Sequence, residues 1–218
     1  HIKSKNKNKI NFIQNKALEL SLFLSLPAAI ALLVASEEIT SSLFGYGSFD
    51  ILSVKNSAKA LFYFALGLPA FSLIKIFSSF LFARHNTKIP FYFSLFSVFI
   101  NILISVYFFN KIGFIIIPIA TTISSWINAL ILLIFLLKKK YFSLNTNFIF
   151  SSSKIILSTA LTSFIFYNLI KYFAENLTYE SEYKIITIIL LVIITFIIYI
   201  LISIFTKAFK ISDIKLKY

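Results

Sequence analysis

The sequence predicts an all-α polytopic membrane protein. Hydrophobic residues make up 59% of the 218, where soluble domains hold roughly 45–50%. The mean hydropathy is +0.90. The apolar residues fall into six runs, each long enough as a helix to cross a hydrocarbon core of roughly 30 Å and about twice the length of a barrel strand. A soluble domain of this size has too little interior to hide so much apolar side chain, and a disordered chain would be far more polar. In lipid no water meets an unpaired backbone group, so these runs are helices.

The first run, Ala17–Phe44, follows a basic segment, residues 1–16. It is overlong and is expected to bend or end near Glu37–Glu38. Ser21, Ser25, Ala28 and Ala29 share one of its faces, and Pro27 removes a backbone hydrogen bond. Gly45 and Gly47 mark the turn that follows. The second run, Ala58–Phe82, carries Ser72, Lys75 and Ser79 on one stripe, with Gly67–Leu68–Pro69 as its expected flexible point. The third, Pro90–Phe109, places Ser94, Ser97, Asn101 and Ser105 at spacings of 3, 4 and 4, a single helical face. After a turn at Gly113, the fourth, Phe114–Leu137, gathers Thr121, Ser124, Ser125 and Asn128 on one face. It also holds Pro118 and a mid-span Trp126 that is expected to pack inside. The fifth is Ile155–Phe173. The sixth, Lys184–Phe205, is nearly unbroken Ile and Leu, interrupted by Thr187, Thr195, Tyr199 and Ser203. The expected organisation is a basic segment (1–16), four spans (17–140), then two additional spans and a tail (141–218).

Basic residues set the orientation. Of 21 Lys and Arg, fifteen fall on the side of the chain termini, the second-to-third connection (Arg84, Lys88) and the fourth-to-fifth connection (Lys138, Lys139, Lys140, Lys154); five fall on the other side. Both ends are therefore expected in the cytoplasm. Lys184 counts among the five outer charges in this reading. The basic excess flanks spans on one side and lacks the aromatic interleaving of a single-strand binder, so no nucleic-acid partner is expected. The chain has no Cys and only two His, far apart at His1 and His85, so no metal or other cofactor is expected. It shows no paired carboxylates, no nucleophile with a nearby base and no Gly-rich phosphate loop, which points away from an enzyme. A start at His1 with no Met anywhere reads as a piece of a longer protein.

The remaining basic residue, Lys75, lies deep inside the second run, away from both of its ends. A charge at depth costs roughly 2.5–3.5 kcal/mol on insertion scales. It lies seven residues from Phe82, about 10 Å along a helix. Two readings stay open from the residues alone. The stem can snorkel to the interface, or the ammonium can face a polar cavity with Ser72 and Ser79. The hydroxyl stripes, with Asn101 and Asn128, divide likewise between helix packing and a water-lined cavity.

Three stretches carry a resemblance: Ser25-Leu-Pro-Ala-Ala-Ile-Ala-Leu through Leu43-Phe-Gly-Tyr-Gly-Ser-Phe49; Gly67-Leu-Pro-Ala-Phe-Ser-Leu-Ile-Lys75-Ile-Phe; and Phe82-Ala-Arg84-His-Asn-Thr-Lys88-Ile-Pro90. In this order they resemble the MurJ/MviN lipid II flippases of the MOP exporter superfamily, over about Asn15 to Lys140. The last two spans match by position and hydropathy only. Leu81, Asn86, Ile89 and Glu38 depart from the family pattern, and Asn86 puts in doubt any carboxylate role in its loop. The resemblance implies the C-terminal part of a two-lobed, fourteen-helix transporter in the bacterial inner membrane, working by alternating access. It implies lipid II, an undecaprenyl-pyrophosphate-linked peptidoglycan precursor, as substrate, with membrane lipids around it. Lys75 matches the family's intramembrane lysine, which favours the cavity. The implied cavity set is Lys75, Ser72, Ser79, Asn101 and Asn128, with Arg84 and Lys88 in a cytoplasmic loop. The alternatives are export of another polyprenyl-linked saccharide and a non-transporting membrane scaffold.

Overall fold

A computed structural model of the chain describes residues 7–208. Its helices are α1 (Lys7–Val34), α2 (Ser36–Phe44), α3 (Ile51–Phe82), α4 (Lys88–Ile112), α5 (Ile116–Lys138), α6 (Thr146–Tyr172) and α7 (Lys184–Phe205). There is no strand among the described residues. Six of these helices are long, as expected, and α2 is the short outer piece of the first run. Lys3, Lys5, Lys210, Lys215 and Lys217, part of the orientation argument, lie outside the described residues.

The overlong first run breaks at Ala35, whose backbone sits at φ −122°, ψ 33°. Backbone hydrogen bonds from Ala35 N–H to Ala31 O and from Ile39 N–H to Ala35 O carry the chain through, so this is a bend and not a loop. Glu37 and Glu38 then occupy the first turn of α2, where the helix dipole favours acids. Three helices begin well before their apolar runs. α1 is already helical at Lys7, the first described residue, and its Asn11 and Asn15 bind backbone of the α5–α6 connection. α3 starts at Ile51 because Asp50 caps it, accepting from Ser53 N–H at 2.8 Å; the Ser53 hydroxyl first, and this N–H second, hold the Asp50 carboxyl below its ordinary pKa. α6 starts at Thr146, where Phe148 N–H donates to Asn145 O at 3.0 Å.

α3, α5 and α7 end alike. Each is followed by a residue in the left-handed region: His85 (φ 56°), Lys140 (φ 55°) and Lys207 (φ 55°). In each, the next N–H reaches back across the last turn at 2.9–3.0 Å: Asn86 to Leu81 O, Tyr141 to Leu136 O, Ala208 to Ser203 O. This closure usually takes Gly or Asn. Here basic side chains occupy it, and cations suit the negative end of a helix dipole.

The chain divides into two compact units. The first holds the described residues up to Ser25 together with Leu66–Phe150; the second holds Leu26–Ala65 and the described residues from Ser151 onward. The sequence borders fall beside Pro27 and beside Gly67–Leu68–Pro69. The first unit's core joins Leu18, Phe77, Phe80, Leu81, Leu132, Leu136 and Phe142, and α4 lies along α5. The second unit's core joins Ala35, Phe166, Ile170, Leu177, Ile188 and Leu191. On α7 the buried row is Lys184, Ile188, Leu191, Thr195, Tyr199 and Ser203, a helical stripe. The rest of α7 turns Ile186, Leu190, Ile197 and Leu201 outward, and α4 does the same with Phe91, Phe99 and Val106. Apolar surface this continuous calls for hydrocarbon as its solvent.

Candidate functional site

Lys75 stands on α3 with its side chain exposed. Its helix is held from two sides within the first unit: the Ser72 and Ser21 hydroxyls hydrogen-bond α3 to α1, and Trp126 Nε1 donates to Leu66 O at 3.0 Å. That carbonyl lies next to Ala65, whose own helical partner would be residue 69, a proline without an N–H. Trp126 itself is 38% exposed, which corrects the expectation of a packed core residue: the indole edge is spent on the irregular turn before Pro69, leaving its face outward. Ser79 is exposed and bonds within its own helix, donating to Ile76 O at 2.7 Å. Among the described residues Lys75 has no hydrogen bond and no ion pair.

The α4 stripe faces α5. Ser97 donates to Ser124 O at 2.6 Å. Asn101 Nδ2 donates to Thr121 Oγ1 at 3.0 Å and to Ser124 Oγ at 3.4 Å. These groups are therefore occupied in holding two helices together, the use that small and hydroxyl residues serve in membranes. Asn128 is buried, with its Oδ1 unpartnered among the described residues. No described hydrogen bond joins Lys75 to Asn101 or Asn128; the three stand on α3, α4 and α5 of the same unit.

Arg84 and Lys88 differ in kind. Arg84 donates to Phe80 O and to Tyr141 O, both at 2.7 Å, and its guanidinium lies 4.8 Å from the Tyr141 ring centroid. Partial burial lowers its pKa and Tyr141 opposes that shift; an arginine remains charged regardless. It clamps the end of α3 to the α5–α6 connection. Lys88, exposed at the start of α4, borders a cavity of about 620 Å³ with Ser78, Thr87 and Ser94.

One residue escaped sequence reasoning. Lys184, counted as an outer surface charge, is 2% exposed. Its Nζ donates to Gly45 O at 2.8 Å and Tyr179 O at 2.6 Å. The rings of Tyr46 and Tyr179 lie 4.2 and 4.7 Å from it. The Tyr179–Lys184 spacing is local, but Gly45 and Tyr46 are distant in sequence, and no pattern ties them to it.

The chain matches the family model described as lipid II flippase MurJ over residues 1–188. It is 34% identical over 176 residues to a probable lipid II flippase MurJ of Rickettsia prowazekii (strain Madrid E), covering 81% of this chain and 34% of that protein. It is 41% identical over 127 residues to a probable lipid II flippase MurJ of Rhizobium meliloti (strain 1021), covering 58% and 24%. Among solved structures it resembles a lipid II flippase MurJ in an inward closed conformation, with TM-score 0.76 and 26% identity, covering 93% of this chain and 40% of that one. The chain thus spans about a third or less of the length of these curated relatives.

Proposed function

The chain belongs to the lipid II flippase MurJ family, and from that premise we propose that it helps carry the anionic head group of lipid II across the bacterial inner membrane. The observation behind the site assignment is Lys75: an exposed ammonium on an apolar, membrane-length helix, without a protein partner among the described residues. Burying a charge at depth is unfavourable enough to be avoided unless it is used. A diphosphate supplies what the ammonium lacks, and the attraction strengthens where water is sparse. Ser72 and Ser79 flank it on α3, and Asn101 and Asn128 are the amide-bearing candidates on α4 and α5. The cycle is alternating access, in which the head group binds from the cytoplasmic side and leaves on the other. No bond is made or broken in the substrate. The basic connections at Arg84 and Lys138–Lys140 mark the cytoplasmic side.

Complementation of a strain depleted of its own flippase tests this in the full-length protein. Lys75→Ala is expected to cripple growth at normal abundance. Lys75→Arg is expected to retain more function than Ala, since charge remains although a planar fork replaces a compact ammonium. Lys75→Glu is expected to be worst, because it sets a like charge against the phosphates. Full complementation by Lys75→Ala and Lys75→Leu, with protein levels unchanged on an immunoblot, would reduce Lys75 to an interfacial anchor.

A further inference from the structure

A cavity of about 1000 Å³ opens among the start of α1, the α3–α4 turn and the α5–α6 connection, all within the first unit. Among the described residues four cations line it, Lys7, Arg84, Lys139 and Lys140, and no Asp or Glu does. Arg84 is fixed by carbonyls and an aromatic face, which orient it without neutralising it. The wall is built by design of the chain itself. Ser143 N–H donates to Asn11 Oδ1 at 2.9 Å, Asn15 Nδ2 donates to Ser143 O at 2.9 Å, and Asn145 N–H donates to Asn15 Oδ1 at 3.2 Å. Gln14, 5% exposed, also lines the cavity, and its buried Oε1 has no donor among the described residues. Leu137, in the last turn of a membrane-length helix, Phe142 and Leu144 supply apolar surface beside the charges.

We propose that this cavity is a binding site for the head group of an anionic phospholipid, with the phosphodiester among the four cations and the acyl chains leaving along Leu137. Basic pockets between helix ends on the cytoplasmic side are suited to such head groups. The shared chemistry is a phosphoryl anion, and the apolar wall favours a lipid over free phosphate. The site is separate from Lys75 and binding is read without transport, so its failure leaves the transport reading untouched.

Native mass spectrometry of the full-length protein, titrated with dioleoyl phosphatidylglycerol or dioleoyl phosphatidylcholine, tests this. Wild type should retain phosphatidylglycerol about tenfold more tightly than phosphatidylcholine. The triple variant Lys7→Gln, Lys139→Gln, Lys140→Gly should lose about tenfold or more of that affinity, each surface charge contributing to lipid attraction. Neutralising Lys55, Lys59 and Lys111 instead should leave it unchanged. Glycine at position 140 relieves a left-handed backbone, so thermal stability of the triple variant should not fall, which separates lost binding from lost fold. Equal retention of the two lipids, or undiminished phosphatidylglycerol binding in the triple variant, would overturn the site. Displacement of the lipid by millimolar inorganic phosphate would overturn the lipid assignment in favour of a free-anion site.

Discussion

A lysine ammonium with two carbonyl acceptors and two aromatic faces is solvated by protein in place of water. Lys184 has this arrangement, and Ser42 Oγ adds a bond to its backbone carbonyl at 3.2 Å. The contacts tie the end of α2 and the α6–α7 connection to the first residue of α7, all in the second unit. Removing the ammonium leaves two carbonyls short of a donor. Lys184→Met keeps much of the stem, so it isolates the charged end. Hydrogen bonds to a charged donor contribute roughly 1.5–3 kcal/mol. Lys184→Met should therefore lower thermal stability in detergent by roughly 3–12 °C, whereas Lys55→Met, at an exposed position, should change it little. A fall of equal size for both would remove the special standing of Lys184.

Helix contacts set the next scale. Gly67 lies at a close approach of α3 to α5: a Cβ added there would lie 2.9 Å from Thr122 Oγ1 and 3.0 Å from the Phe71 ring. Helix propensity pulls the other way, since Ala gains roughly 0.8–1 kcal/mol over Gly in a helix. The two effects separate in a double-mutant cycle. Gly67→Ala should destabilise the protein with Thr122 present and stabilise it in a Thr122→Ala background, read as a change of sign in the shift of melting temperature. An unchanged sign would mean that Thr122 is not what excludes a side chain. The α4–α5 seam is softer, because interhelical hydrogen bonds in membranes average about 0.6 kcal/mol; Asn101→Ala should cost about that much. These elements were legible in unequal measure. Six spans and the Ser97–Asn101 face followed from run length and 3.6-residue phase, which the lipid solvent enforces. The bend of the first run, expected near Glu37–Glu38, lies at Ala35, and α3 and α6 begin early on local bonds at Asp50 and Asn145 that a search for apolar runs passes over; the anchoring of Asn11 and Asn15 and the cage around Lys184 depend on polar bonds between distant segments, and periodicity carries no record of those. For the candidate site, the sequence singled out Lys75 by its charge within an apolar run, while the partners that consume Ser72, Ser97 and Asn101 emerge only from packing.

Across the whole molecule, charge and apolar surface carry orientation. The hydrogen bonds of Asn11, Asn15 and Arg84 bring together the start of α1, the end of α3 and the end of α5, three ends that the basic-residue bias assigns to one side. Tyr179 Oη donates to Phe49 O at 2.9 Å, joining the α2–α3 and α6–α7 connections, both assigned to the opposite side. Each grouping is what alternating spans require. Lys and Arg resist translocation far more than Asp and Glu, so the ends bearing Arg84 and Lys138–Lys140 should be cytoplasmic. The chain has no Cys, which allows single reporters on a clean background. In intact cells an impermeant maleimide should label Ser48→Cys and Glu180→Cys, both exposed, and should miss Thr87→Cys and Ser143→Cys until the membrane is permeabilised. The reverse pattern would invert the orientation, and labelling of Thr87→Cys together with Glu180→Cys in intact cells would break the alternation of spans itself.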